Sequence, residues 1–132
     1  MVKIDFDRLA QFRYAIISLV GRDGYPWSTA TGFEITRDKN ILLNKPVAQF
    51  PLADKKVGVL FNHISAIPTG GYTERRYMLI WGKLDDDNGK LRLNPEKLAE
   101  WDEKILPFPE LCGRAAPQGQ KYLESMKRQI AA

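Results

Sequence analysis

The spacing of apolar positions changes along the chain, and each spacing predicts a different element. Near the start, Phe6, Leu9 and Ala10 fall on one helical face, and Asp5 stands before them with a carboxylate able to accept from the free amides of a first turn. A short helix ending near Arg13 is predicted. Tyr14 to Val20, YAIISLV, is apolar on both faces and rich in strand formers, as expected of a central strand covered on both sides. Asp23-Gly24 then turns the chain, because both residues tolerate positive φ. The return strand, Tyr25 to Thr36, places Trp27, Thr29, Thr31, Phe33 and Ile35 on one side.

A second turn at Arg37 to Asn40 leads to a third strand, Ile41 to Asn44. Lys45 to Ala53, KPVAQFPLA, is a connection that two prolines keep from becoming a long helix. Val57 to Asn62 predicts a fourth strand, Ser65 to Gly71 a loop, and Arg75 to Leu84 a long fifth strand closed by a turn at Asp85 to Gly89. Beyond that turn the period lengthens. Asn94 reads as a helix cap, Pro95 as a first helical residue, and Leu98, Trp101 and Ile105 as a helix face. A last helix is predicted after Pro117, where Tyr122, Met126 and Ile130 recur four apart. Five strands in hairpin order, with a leading helix and a C-terminal helical tail, predict a mainly β domain: a small antiparallel split β-barrel, since so short a sheet protects its edges best by curling closed.

Composition narrows this picture. At 132 residues and 44% hydrophobic content the chain fits one domain with one core. Cys112 is the only cysteine, so no intrachain disulfide can form and no Cys/His zinc spacing exists; a reducing cytoplasm suits such a chain. The opening MVKIDFDRLAQF mixes charges with its apolar residues, and no apolar run approaches the ~20 residues that cross a bilayer, which predicts neither a secretory leader nor a membrane partner. The net charge is +4 and the pI about 9.2. The basic residues are scattered, so most belong to a mixed solvated surface, and only particular lysines are candidates for holding an anion.

No catalytic set made of side chains emerges. His63, the only histidine, has no carboxylate or cysteine at a motif spacing. Cys112 reads as a buried thiol in ELCGR, and Asp85, Asp86 and Asp87 as turn residues. An enzyme built on this chain therefore needs a cofactor to supply its chemistry. The residues left for that work are Ser28 to Thr31, Asn44 with Lys45, and Lys55 with Lys56: hydrogen-bond donors and cations around strand ends, where a flat ring can lie with its polar edge on backbone groups and a phosphate can meet lysines. Arg75 and Arg76 are adjacent on a strand, so they are expected to point to opposite faces, one toward a ligand or a facing subunit.

The order ISLVGRDGYPWSTATGF, ILLN, KKVGVLFNH and RRYMLIWGKL, from Tyr14 to Leu84, resembles the flavin-binding split barrels of the pyridoxamine 5′-phosphate oxidase-like family. The resemblance implies an FMN-dependent oxidoreductase, a homodimer with the cofactor at its interface, and hydride transfer between a reductant such as NADPH and a small-molecule substrate. It places the ring on Trp27, Ser28, Thr29, Ala30 and Thr31, and the ribityl chain and phosphate on Asn44, Lys45 and Gln49. Two departures accompany it. Thr29 stands near the place where many relatives carry a phosphate-binding arginine, and the connection after Asn44 lacks the usual Ser/Thr with Arg/Lys pattern; Lys55 and Lys56 are the remaining cations for that role, and Arg75 is a further cofactor-binding candidate. Readings from other classes are a non-catalytic barrel that binds an anionic ligand, a deazaflavin or haem protein, a relative that keeps the fold without a cofactor, and a binder of single-stranded nucleic acid through Tyr25, Trp27, Tyr72 and Trp81. No RNA-binding signature accompanies those aromatics.

Overall fold

The computed structural model describes residues 2–51 and 55–131. Helix α1, Phe6–Leu9, is capped by Asp5, whose Oδ1 accepts from the Arg8 amide at 3.1 Å. Seven strands follow: β1 (Ala15–Val20), β2 (Pro26–Thr31), β3 (Phe33–Ile35), β4 (Ile41–Leu43), β5 (Lys56–Ala66), β6 (Tyr72–Asp87) and β7 (Lys90–Asp102). Helix α2, Phe108–Ile130, ends the chain. All strand pairs are antiparallel, in the order β2-β1-β5-β6-β7-β4-β3. β2 and β3 occupy opposite edges of this sheet although only Gly32 separates them. The sheet must therefore curl until its edges meet, and the result is a split barrel.

The seam is stitched locally. The Asn44 amide donates to the Gly32 carbonyl at 2.9 Å, and the Thr31 hydroxyl donates to the Asn44 carbonyl at 2.7 Å. A Cβ on residue 32 would stand 2.8 Å from Asn44 Nδ2, so a side chain here would displace the Asn44 amide group.

Alternation along the strands fills the interior. Ala15, Ile17 and Leu19 of β1 face Val57, Val59 and Phe61 of β5, Met78, Ile80 and Leu84 of β6, and Leu91 and Leu93 of β7, all buried. Leu9 and Phe12 of the α1 segment plug one end. Phe61 sits at the centre, edge-on to Phe33 with ring centroids 4.8 Å apart. Outside, the register aligns Ala30, Ile16, Leu60, Leu79 and Ala99 in one apolar row across β2, β1, β5, β6 and β7. The next row is Ser28, Ser18, Gly58, Trp81 and Lys97.

Several expectations change. The helix expected from Asn94 is strand β7, and five strands become seven. The reason lies at Glu96: Trp81 pairs Lys97 while Gly82 pairs Pro95, so Glu96 is an extra residue that bulges out of β7. The bulge turns the inward step from Pro95 to Leu98 into three residues, which mimics helical spacing, and it accommodates a proline that has no amide for the ladder. Gly82 permits the close approach, since a Cβ there would collide with the Asn94 carbonyl. Helix α2 begins nine residues before the expected Pro117 and runs through that proline. Cys112 is exposed, not buried. α1 stops at Leu9, short of Arg13. β5 and β6 also extend past their expected ends to a tight turn in which the Ile67 amide donates to the Gly71 carbonyl at 3.0 Å. The end of the Lys45–Ala53 connection lies outside the described residues. No described helix is long and apolar enough to cross a membrane.

Candidate functional site

The hairpin after β1 shapes a slot at one end of the barrel. Asp23 Oδ1 accepts from the Tyr25 amide at 3.1 Å and from Trp27 Nε1 at 3.2 Å. The Tyr25 amide, and after it the indole N–H, hold the Asp23 carboxyl below its ordinary range. The indole lies over Gly21, where a Cβ would come within 2.6 Å of the ring. Trp27 is thus fixed by a carboxylate on one side and by a missing side chain on the other. Beyond it, Leu19, Thr29, Val47, Phe50 and the prolines of the 46–51 segment enclose a cleft of about 350 Å³ with mostly apolar walls. One wall is β2, an edge strand, so its backbone groups that point away from β1 have no strand partner.

Sequence-predicted residues distribute unevenly around this slot. Trp27, Ser28 and Thr29 line it. The Ser28 hydroxyl is also 2.8 Å from that of Ser18 on β1. Ala30 belongs to the outer apolar row. Thr31 and Asn44 are taken up by the seam. Lys45 Nζ lies 3.3 Å from an Asp86 carboxylate oxygen, and Gln49 is exposed on the turn of the connection. Lys55 Nζ donates to the Val20 carbonyl at 2.9 Å, at the end of β1 that borders the slot. Among the described residues no carboxylate lies within 4.0 Å of it. Lys56 pairs with Glu96 at 3.5 Å.

Arg75 is not part of this arrangement. It bonds Glu103 at 2.6 Å and stacks on Phe108, 4.2 Å from the ring centroid. The register sets Gly58 beside Trp81 and His63 beside Arg76, so the arginines lie roughly 15–20 Å along the strands from the slot end. The slot residues that sequence reading missed are Leu19, Gly21, Pro46, Val47, Phe50 and Pro51. They are apolar or small, and only the path of the 46–51 segment makes them neighbours. On the outer face, a second cleft of about 550 Å³ runs past Ser18, Val20, Lys56, Gly58, Trp81 and Lys97. The exposed Trp81 beside a glycine is the sequence signal for it.

The far end of β5 and β6 carries charge. His63 Nε2 is 3.1 Å from Ser65 Oγ and 3.4 Å from Glu74 Oε2, and Ser65 donates to the same carboxylate oxygen at 2.8 Å. One imidazole nitrogen meets both partners, which is not the relay of a nucleophilic triad, where the two ring nitrogens are divided between acid and nucleophile. The Ser65 hydroxyl, then the His63 bond, hold the Glu74 carboxyl below its ordinary value. The Arg75 side chain and amide do the same for Glu103. No group of three metal-ligating side chains is present among the described residues.

No protein-family model matches the sequence, and neither does any curated protein. Solved structures do share the fold. The conserved hypothetical protein Rv2991 from Mycobacterium tuberculosis aligns with a TM-score of 0.56 at 17% identity over 80% of this chain and 91% of its own. Atu2129 from Agrobacterium tumefaciens, of unknown function, aligns with a TM-score of 0.51 at 16% identity, over 76% of this chain and 58% of its own.

Proposed function

We propose that the protein binds FMN in the slot between β2 and the 46–51 segment and acts as a flavin-dependent oxidoreductase, passing hydride between a donor such as NADPH and a small molecule. The observation that carries this reading is the union of an apolar slot with the free edge of β2. A tricyclic ring needs apolar faces and, along one edge, alternating donors and acceptors; an edge strand supplies the latter without charged side chains. Leu19, Trp27, Val47 and Phe50 would hold the ring and exclude water, and the backbone around Ser28 and Thr29 would orient its polar edge. Lys55, whose Nζ donates to the Val20 carbonyl at the slot end of β1, would meet the phosphate. Bound FMN supplies the two-electron chemistry that the side chains of the slot lack.

The same reading makes the working unit a homodimer with the cofactor at its interface. The row Ala30, Ile16, Leu60, Leu79 and Ala99 is a continuous apolar surface across five strands, with Val20 and Trp81 exposed beside it. A second copy related by a two-fold axis is the commonest way to cover such a surface. Light scattering should give twice the 15.1 kDa chain mass, and Leu79→Glu should shift the protein to monomer and weaken flavin binding together. A monomer that binds flavin stoichiometrically contradicts the shared site. FMN titrated into the purified protein should lose its fluorescence with micromolar affinity, and Lys55→Ala should weaken binding more at low salt than at high, because a phosphate contact is screened by ions. An absorption spectrum of haem or deazaflavin type in the purified protein would assign the slot to that cofactor instead.

A further inference from the structure

We propose that the charged end of the barrel, independent of the flavin slot, is a binding site for a small organic carboxylate. A pocket of about 190 Å³ lies there, with Ile64, Tyr77 and Trp101 as apolar walls and Asn62, His63, Arg75 and Arg76 as its polar lining. Adjacent strand residues should face opposite sides, yet both arginines line this pocket. A β-bulge explains it: His63 pairs Arg76 and Ser65 pairs Thr73, so Ile64 alone stands opposite Glu74 and Arg75. Glu74 takes a left-handed backbone at φ 55°, which re-aims the start of β6.

The arginines are not satisfied by what surrounds them. Nε of Arg75 and Nε of Arg76 are both buried with no hydrogen-bond partner. Buried donors in native proteins nearly always have partners, so two orphans on neighbouring arginines that line one pocket mark a place where donors outnumber acceptors. The neighbouring carboxylates are already engaged. Glu103 holds Arg75, Glu74 holds Ser65 and His63, and Glu100 and Asp102 share Arg8 at 3.4 and 3.9 Å. Among the described residues Arg76 has no carboxylate within 4.0 Å. Its guanidinium lies 5.8 Å from the centre of the Phe12 ring, which supports it without using its hydrogen-bonding edge.

The outer edge of a guanidinium, with its two Nη groups, matches the two oxygens of a carboxylate, and the Asn62 amide offers a further donor beside it. The apolar walls favour an acid with an organic body over a free inorganic anion, which would leave them in contact with a hydrated ion. The volume is that of about six water molecules in the liquid, enough for an acid of the size of benzoate.

Calorimetric titration of the full chain with sodium benzoate and, separately, with inorganic phosphate at low ionic strength tests this. Benzoate should bind one per chain with a Kd of about 1 mM or tighter, and phosphate at least about ten-fold more weakly. Arg76→Lys keeps the charge but loses the fork and should cost benzoate at least about ten-fold. Ile64→Glu, a change at a half-exposed wall position that the fold should tolerate, should abolish binding by placing a carboxylate at the pocket mouth. Lys55→Ala should leave benzoate binding unchanged, so this site and the flavin slot fail or succeed separately. The absence of saturable benzoate binding, tighter binding of phosphate than of benzoate, or unchanged affinity in both Arg76→Lys and Ile64→Glu would each overturn the assignment.

Discussion

The two ends of the barrel are built on the same strands and are chemically opposite. At the end where β1 meets its hairpin, the slot is apolar, its polar capacity lies in the backbone of an edge strand, and its one local carboxylate, Asp23, is spent on positioning Trp27. At the other end, where β5 passes to β6, side chains carry the polarity and nearly all are locked in pairs, with Arg75 and Glu103 at 2.6 Å. The difference follows from how the strands finish. A tight Asp-Gly turn leaves an edge and a glycine on which an indole can lie, whereas a bulge with a left-handed Glu74 gathers two neighbouring arginines on one pocket. One interior thus carries two ends of different chemistry, and what distinguishes them is a handful of turn and bulge residues.

The comparison breaks most completely if the shared interior is damaged. Phe61 is fully buried midway between the ends, and Phe61→Ala should lower unfolding stability by about 3–5 kcal/mol, read as a lower urea midpoint, with flavin and benzoate binding lost together. Loss of one with retention of the other would show that the ends do not depend on one core. A smaller change should separate them. Thr31→Val removes the seam bond to the Asn44 carbonyl, should cost about 1 kcal/mol, and should weaken flavin binding while sparing benzoate.

Acid should distinguish the ends least, because both depend on carboxylates held below their ordinary values. For Glu74 and Glu103 the folded pKa lies under the ordinary 4.5, so their stabilising contribution is complete above that pH and is lost as pH falls through the lower folded values. Asp23 does the same at the slot end from its ordinary 3.8. Glu103→Gln should flatten the acid limb of a thermal-stability curve slightly, without altering it at neutral pH through titration. A steeper acid limb in that variant would contradict the pairing with Arg75.

Much of this architecture can be read in the chain. Asp5, the YAIISLV run and the Asp23-Gly24 turn predict the cap, strand β1 and the hairpin that the structure contains, because each acts through neighbours in sequence; the cover expected on both faces of β1 is present on one only, since Ser18 and Val20 are exposed. Strand β7 cannot be read this way, since a single bulged Glu96 changes the phase of its alternation and Asn94-Pro95 imitates a helix start. Helix α2 conceals its beginning because Pro117 looks like a first residue, yet the helix runs from Phe108 through it and gives up the amide that would bond the Gly113 carbonyl. Trp27, Ser28 and Thr29 were accessible to sequence reading because one strand carries them. Leu19, Val47 and Phe50 complete the slot only through tertiary folding, and the joint orientation of Arg75 and Arg76 depends on Ile64, a residue on a different strand.

The central claim is that the slot beside β2 is where a flavin binds. Val47 lines that slot and is 59% exposed, so Val47→Glu should not disturb the core but would set a carboxylate against a ring bound there. Lys3→Glu makes a larger charge change at an exposed position elsewhere and serves as its control. Quenching of FMN fluorescence should show at least about a ten-fold loss of affinity for Val47→Glu at unchanged thermal stability, and near wild-type affinity for Lys3→Glu. Equal FMN affinity in the wild type and Val47→Glu, or no FMN binding by the wild type, would contradict the claim.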